Sequence, residues 1–567
     1  MQQHTTNQLP ITIHLNSSAP NFLQIISSIN ELLVNGVEPK NIAVVYSINQ
    51  YEDKLFSQFL QNQIPFNCNN PFNVLHSSLS NQLITLLKYL AAEVDMPTGG
   101  DDLLFEILHF KWFNIPPVEI AKLTAEVADR RFGKDKTTLR QHLLYNANNP
   151  AKDLFTPPSE GFKKASDCIE KLITELPGYN LLQLFDNILS ETGVLNYVKQ
   201  QPASKWNEAI ITSWINFIQI TFNKNASLSL NQLITMLNKM ERENQLLPLI
   251  ESCYDLNGVH VLTSTETNHT SFDYVFKVGN HVNINEHSLE HSVPTIERFE
   301  ADFIDRVLNK FVMNVSALNT YLNCPLQFYF NYIVRVPPVK STAFAFGSAV
   351  HYALECLFVK MQPSNTFPAI DVLLNDFQQY MVQNRVGFTE ASFNQKMQHG
   401  HSVLTNYYHQ YIAEWNKIVV IERTFKNITL GGIPLKGKMD KLEFNGKKVN
   451  IVDYKTGNVE RALEKLQPPN EAQPHGGDYW RQAVFYKILI DNYEDGKWQA
   501  MSSEFDFIEP NQNNALQKVK LEISAADIAT VTHQLTEAWG KIQDRQFYNG
   551  CGKPTCGWCG FVKMNEE

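Results

Sequence analysis

Long apolar runs, a phosphate-binding loop, an export leader and a basic charge balance are all missing from this 567-residue sequence. No run of 18 or more apolar residues occurs, so no membrane-spanning segment is expected. Met1-Gln2-Gln3-His4-Thr5 has no basic stretch leading into an apolar one, which argues against secretion and leaves a cytoplasmic location. G-x-x-x-x-G-K-[ST] is absent, so the chain offers no backbone cradle for a nucleoside triphosphate. A formal net charge of -10 excludes a global basic field for nucleic acid, and any such contact needs a local patch. Eight cysteines in a chain of this length, with no leader, do not make a disulfide framework.

What is present reads as globular protein, with 43% hydrophobic and 19% charged residues. The length exceeds one ordinary core, so two or three domains are expected. The first 290 residues are mostly helical by pattern. Residues 41–46 form a short apolar run that reads as a buried strand, and 51–61 then show helical spacing. Further amphipathic helices are predicted over 80–92, with Ser80 as a possible N-cap, and over 102–110, 181–189 and 230–240. Strand-like runs return at 259–262 and 274–278. Residues 291–311 read as a linker, and His281, His287 and His291, in or just before it, as solvated linker histidines rather than a metal site. Cys68, Cys168, Cys253 and Cys356 sit alone and read as plain thiols. The densest basic window is 421–455, where Arg423, Lys426, Lys436, Lys438, Lys441, Lys447, Lys448 and Lys455 are either a local patch or a solvated strand face.

The chemistry concentrates in that window. Asn445-Gly446 predicts a two-residue hairpin turn pairing Phe444 with Lys447, Leu442 with Val449 and Asp440 with Ile451. Side chains alternate along a strand, so one face carries Asp440, Leu442, Phe444, Val449, Ile451, Asp453 and Lys455. The opposite face carries Lys441, Glu443, Lys448, Asn450, Val452 and Tyr454. Two carboxylates and an amine thus fall on an apolar face, where unpaired charge is costly. A hard divalent cation shared by Asp440 and Asp453, diagonal neighbours across the hairpin, would account for both. A plain Asp453–Lys455 ion pair would leave Asp440 unexplained. Upstream, Gly347-x-x-x-His351-x-x-x-Glu355 sets His351 and Glu355 on one helical face; downstream, Gln482 and Tyr486 share another. Alone, each of those pairs is weak.

In this order, G-x-x-x-H-x-x-x-E, G-x-x-D, D-x-K-T-G and Q-x-x-x-Y resemble the nuclease domain of RecB and AddB, within the PD-(D/E)XK superfamily. The resemblance covers roughly 312–567 and implies an α/β, restriction-endonuclease-like domain with a mixed sheet flanked by helices. It implies that His351, Asp440 and Asp453, with the Tyr454 carbonyl, bind Mg²⁺ or Mn²⁺ for phosphodiester hydrolysis in DNA. Asp440, Asp453 and Lys455 would be catalytic, Glu355 would support His351, and Gln482 and Tyr486 would position DNA or brace the metal. Upstream, residues 42–66 and 259–279 resemble the C-terminal motor domain of UvrD-like helicases. Thr265, Asn268-His269 and Ser271 stand where that family has His, Lys-Gly and Glu. The N-terminal region therefore reads as a helix-rich, motor-like domain without its ATP-binding half.

Cys551, Cys556 and Cys559 crowd the C-terminus between glycines, and a metal centre usually wants four ligands. The fourth candidate, Cys324, lies in a segment, Ser316-x-Leu-x-x-Tyr321-x-x-Cys324-Pro325, that resembles the entry to AddB-type nucleases. There, one early and three late cysteines hold a 4Fe-4S cluster. Those proteins space the late cysteines C-x-x-C-x-x-x-x-x-C, whereas here the order is C-x-x-x-x-C-x-x-C; the resemblance implies the 4Fe-4S cluster, with Cys₄ zinc a chemically acceptable alternative at such spacing and plain thiols without metal a third. The whole implies an exonuclease of DNA repair or recombination with a separate UvrD-like (AddA-type) helicase subunit as partner. Two other readings stand beside it. One is a non-catalytic architectural subunit that binds DNA ends or a helicase. The other is a piece of a longer helicase–nuclease chain.

Overall fold

The computed structural model describes residues 11–15, 22–46, 52–68, 72–130, 136–149, 159–250, 254–263, 272–278, 301–339, 341–385, 388 and 390–566. Two five-stranded sheets organise the chain. The first contains β1 (Ile11–Leu15), β2 (Ile42–Tyr46), β3 (Phe66–Cys68), β4 (Val259–Thr263) and β5 (Tyr274–Val278) in the order β1-β5-β2-β4-β3, every pairing parallel. β2 is buried at every residue, as expected of a parallel strand covered on both faces. Between β3 and β4 the described chain is helical, including Ser78–Asp95, Asp101–Leu108, Pro117–Arg130, Leu181–Glu191 and Leu230–Arg242.

Ser80 is not the cap of its helix. Ser77 is, with its hydroxyl accepting from the Ser80 N–H, while buried Ser80 Oγ accepts from Trp214 Nε1 at 2.7 Å. Thr265, Asn268, His269, Ser271, Cys253 and the histidines at 281, 287 and 291 lie outside the described residues. Of the stretch 291–311, the described part contains a helix, Ala301–Leu308, with Phe303, Ile304 and Leu308 buried. Its apolar face packs, which a polar-looking flank had concealed.

The second sheet holds β6 (Val419–Leu430), β7 (Ile433–Asn445), β8 (Lys448–Lys455), β9 (Gln499–Phe507) and β10 (Gln517–Leu521), in the order β10-β9-β8-β7-β6. Only β8 and β9 run parallel; the other neighbours are antiparallel, so the sheet is mixed. The β7–β8 turn sits one residue later than predicted. Asn445 pairs with Lys448, and Gly446 alone takes positive φ, at 62°. Leu442 therefore faces Ile451, and Phe444 faces Val449. Extending that register sets Asp440 directly opposite Asp453 rather than diagonal to it, while the predicted face partition survives.

Both faces of this sheet are covered. Val452 and Tyr454 pack with Phe346, Val350, Leu354 and Phe358 of helix Thr342–Met361, backed by helices Ile370–Gln383 and Glu390–Tyr411. Val449 and Ile451 share the other core with Val484 and Leu489 of helix Asp478–Asp491 and Leu535 of helix Ala525–Gln543. Lys441 is consequently buried, not solvated. Its ammonium pairs with Glu443 at 2.9 Å and lies over the Phe358 ring. Among the described residues, Thr342–Met361 is the one helix long and apolar enough to match a membrane span, and here its apolar face lies in this core.

Candidate active site

Four elements converge where β7 and β8 part. Helix Thr342–Met361 brings His351, β7 brings Asp440, β8 brings Asp453 and Lys455, and helix Asp478–Asp491 brings Gln482 and Tyr486. His351 Nδ1 stands 3.3 Å from Asp440 Oδ1. The second Asp440 oxygen accepts the Tyr454 N–H at 2.9 Å, so the carboxylate is fixed from the strand beside it. Lys455 Nζ pairs with Asp453 Oδ2 at 2.6 Å and donates to Gln482 Oε1 at 3.0 Å. Gln482 Nε2 donates to Asp453 Oδ1 at 2.9 Å and approaches the Tyr486 hydroxyl at 3.0 Å. One amide thus holds both the acid and the amine, and Tyr486 stands behind it. The Tyr454 side chain is buried on the far face of the sheet.

Electrostatics distinguishes the two aspartates. Burial works against the charged form of Asp440, but its hydrogen bond and charge contact with His351, the Tyr454 N–H and Lys455 outweigh it and hold the carboxyl below its usual value. Burial pushes Asp453 up, and the neighbouring Asp440 charge adds to it, against the pull of Lys455. Lys455 is itself raised: desolvation opposes its charge, but Asp453 and Tyr479 outweigh it. His351 is likewise raised, burial being overcome by Asp440 and then Asp453 and Glu422. Adjacent carboxylates that resist joint ionisation are the donor set a divalent cation relieves.

Glu422 belongs to the same cluster and was not singled out from the sequence. Ligand atoms of His351, Glu422 and Asp440 lie within 4.8 Å of one another. Pairing of Ile421 with Lys441 and Arg423 with Met439 sets Glu422 across from Asp440, and Glu422 takes a φ of 50°, unusual inside a strand. Burial raises its carboxyl against the pull of its ion-pair partner Lys438. Glu355 makes no hydrogen bond to His351 among the described contacts; its charge acts instead on Glu422 and Lys438. Of the basic window, Lys441 is buried and Lys455 is in the site. Lys426, Lys436, Lys447 and Lys448 are exposed.

A second cluster lies apart from this one. Cys324 and Cys559 are buried, Cys551 and Cys556 half-buried. Their sulfurs stand 3.9 Å (Cys324–Cys559), 3.8 Å (Cys551–Cys559) and 3.8 Å (Cys556–Cys324) apart. Four thiolates around one tetrahedral ion, with bonds of about 2.3 Å, have edges of about 3.8 Å. The donor set as placed therefore fits a single ion, and a four-iron cluster would need the sulfurs to spread. Among the described residues, Cys68, Cys168 and Cys356 join no such group.

Residues 312–564 match the PD-(D/E)XK nuclease superfamily. No curated protein matches the chain. Among solved structures, one from Eubacterium rectale described as a "putative exonuclease" shares 14% identity, covers 47% of this chain and 93% of its own, and has a TM-score of 0.30. The protein SSO0001 shares 12% identity over 36% of this chain and 86% of its own, with a TM-score of 0.18. Overlaps this slight carry no argument about this chain.

Proposed function

We propose that this chain, whose residues 312–564 are a PD-(D/E)XK nuclease superfamily domain, is a metal-dependent deoxyribonuclease acting from DNA ends. The observation that carries the reading is the meeting of His351, Asp440, Asp453, Lys455 and Gln482 at one end of a mixed sheet. His351, Glu422, Asp440 and Asp453, with the Tyr454 carbonyl, would hold Mg²⁺ or Mn²⁺. At such a site the cation supplies charge neutralisation at the scissile phosphate and acidifies water. Lys455, kept protonated by its carboxylate neighbour, provides fixed positive charge for the attacking oxygen and the developing phosphorane charge. Gln482 keeps Lys455 and Asp453 in register, and Tyr486 orients Gln482.

A role in double-strand-break repair or recombination, a cytoplasmic location and a UvrD-like helicase subunit as partner complete the proposal. The motor-like N-terminal region would guide the strand, since it carries no phosphate cradle of its own. We further propose that Cys324, Cys551, Cys556 and Cys559 hold a structural metal. The sulfur separations favour one zinc ion over the 4Fe-4S cluster that the resemblance implies. Colourless protein with one zinc per chain supports zinc; a brown chromophore with iron and sulfide establishes the cluster.

The nuclease reading is tested with end-labelled linear DNA and a closed single-stranded circle, each with and without Mg²⁺ or Mn²⁺. Metal-dependent release of label from the linear substrate, with the circle intact, is expected. Cleavage of the circle would replace end-dependent action by internal cutting.

A further inference from the structure

We infer that metal loading at the four cysteines controls whether the N-terminal helical region stays seated on the nuclease domain. The inference rests on the reading that Cys324, Cys551, Cys556 and Cys559 hold a metal, whichever metal that is. Both chain segments that supply the cysteines also supply aromatic side chains to one contact. Helix Gly557–Glu566 carries Cys559 and, beside it, Trp558 and Phe561. The segment after Cys324 winds into a π-helical turn, Tyr329–Val334, that carries Phe330. Trp558 stacks on Phe330, with ring centroids 4.3 Å apart and planes at 14°.

The N-terminal region closes on this pair. Phe105, from helix Asp101–Leu108, meets Trp558 at 6.1 Å, Phe561 at 5.8 Å and Phe330 at 6.1 Å. Half-buried His109 meets Phe561 at 5.2 Å. Alongside, Thr124 Oγ1 donates to the Val334 carbonyl at 3.0 Å, and Arg335 pairs with Asp129 at 2.6 Å. The seat for Phe105 is thus built from residues one to six positions from a cysteine.

The C-terminal side of that seat has little regular structure of its own. Residues 551–556 have no helix or strand. A ten-residue helix is too short to persist without tertiary support. Four unligated thiols cannot hold two segments more than 200 residues apart in sequence, whereas a bound ion can. Coupling of this kind is reciprocal: if the metal stabilises docking, docking must retain the metal by the same factor.

The test uses the full chain with its native metal, compared with chelator-stripped protein and with Phe105→Ala, read by amide hydrogen exchange and by the rate of metal loss to a chelator. Stripping is expected to speed exchange across Asp101–Leu108 and Tyr329–Val334 by about tenfold or more, within the usual range for site-to-site coupling. Exchange in helix Leu181–Glu191 should not change. Phe105→Ala, which alters no cysteine, should speed metal loss by a similar factor; if that variant does not fold, Phe105→Leu should act in the same direction. Protection of 101–108 that persists while 549–566 opens, or wild-type metal release from the folded Phe105 variant, would overturn the inference. Metal analysis of the starting protein separates the levels: chains with four free thiols and no metal would sink the metal reading together with this one.

Discussion

At the scale of single residues, Lys455 bears most on the proposed chemistry. Its ammonium touches Asp453 and Gln482, and its charge is reinforced by its surroundings. Lys455→Met should lower cleavage by about 100- to 1,000-fold, the usual cost of one electrostatic donor at a developing charge. Mn²⁺ binding, followed by calorimetry, should survive; loss of metal binding would make Lys455 a structural residue. Glu106 offers a test away from the site. Burial first, and then the charge of Asp102, raise its carboxyl to about 7. A raised carboxyl favours the protonated form in the fold, so its contribution is present at low pH and is lost as pH rises through about 7. Glu106→Gln should therefore gain stability over wild type above pH 7, on the order of 1–3 kcal/mol at about 1.4 kcal/mol per pKa unit. At pH 4, below the usual carboxyl value of 4.5, the two melting temperatures should agree; equal melting at pH 8 would show that Glu106 is not stressed.

At the scale of elements, strand alternation made half of the site legible. Asp440, Asp453 and Lys455 fall on an apolar face whichever of the two turn registers is adopted, because both keep the same parity. Glu422 was hidden for a physical reason. The tight turn between Leu430 and Ile433 starts β6 and β7 in a register that would set Arg423 across from Asp440, and a bulge between Phe425 and Ile428 then shifts it by one, bringing Glu422 there instead. The bulge contains Asn427 at a φ of 58°, and a lone asparagine within a strand is too weak a local signal to mark it. Burial of Lys441 was hidden likewise, since alternation shows which residues share a face but not that a second helical layer covers it. Helix Asp478–Asp491 gives a prediction at this scale. Gly477 precedes it, and a Cβ there would stand 2.1 Å from the Lys465 carbonyl oxygen. Gly477→Ala should cost about 1–3 kcal/mol by displacing backbone. It should also lower cleavage by moving Gln482 off Asp453 and Lys455. A variant with wild-type melting and activity would mean the entry to this helix tolerates the shift.

At the scale of the molecule, five of the ten strands were legible in the sequence, but not the extent of the two sheets or their union. Short apolar runs located β2, β4 and β5, and the hairpin located β7 and β8. No periodicity could show that one core runs from Phe22 to Val562, because contacts such as Phe105 with Phe561 join residues with no relation in spacing. The -10 net charge acquires a meaning under the proposed function: attraction to DNA would have to come from local cations such as Lys426 and Lys436 and from a bound metal, so cleavage should fall steeply with added salt. The central claim, that the carboxylates at the parting of β7 and β8 make a hydrolytic metal centre, is tested most directly by degradation of end-labelled linear DNA with Mg²⁺ or Mn²⁺, wild type against Asp453→Ala. Metal-dependent cleavage by wild type, abolished in a variant that keeps the wild-type fold and cysteine-bound metal, is the predicted result. Equal cleavage by both proteins would contradict the assigned centre, and none by either, with the fold intact and a helicase partner supplied, would favour an architectural subunit that binds ends without cutting them.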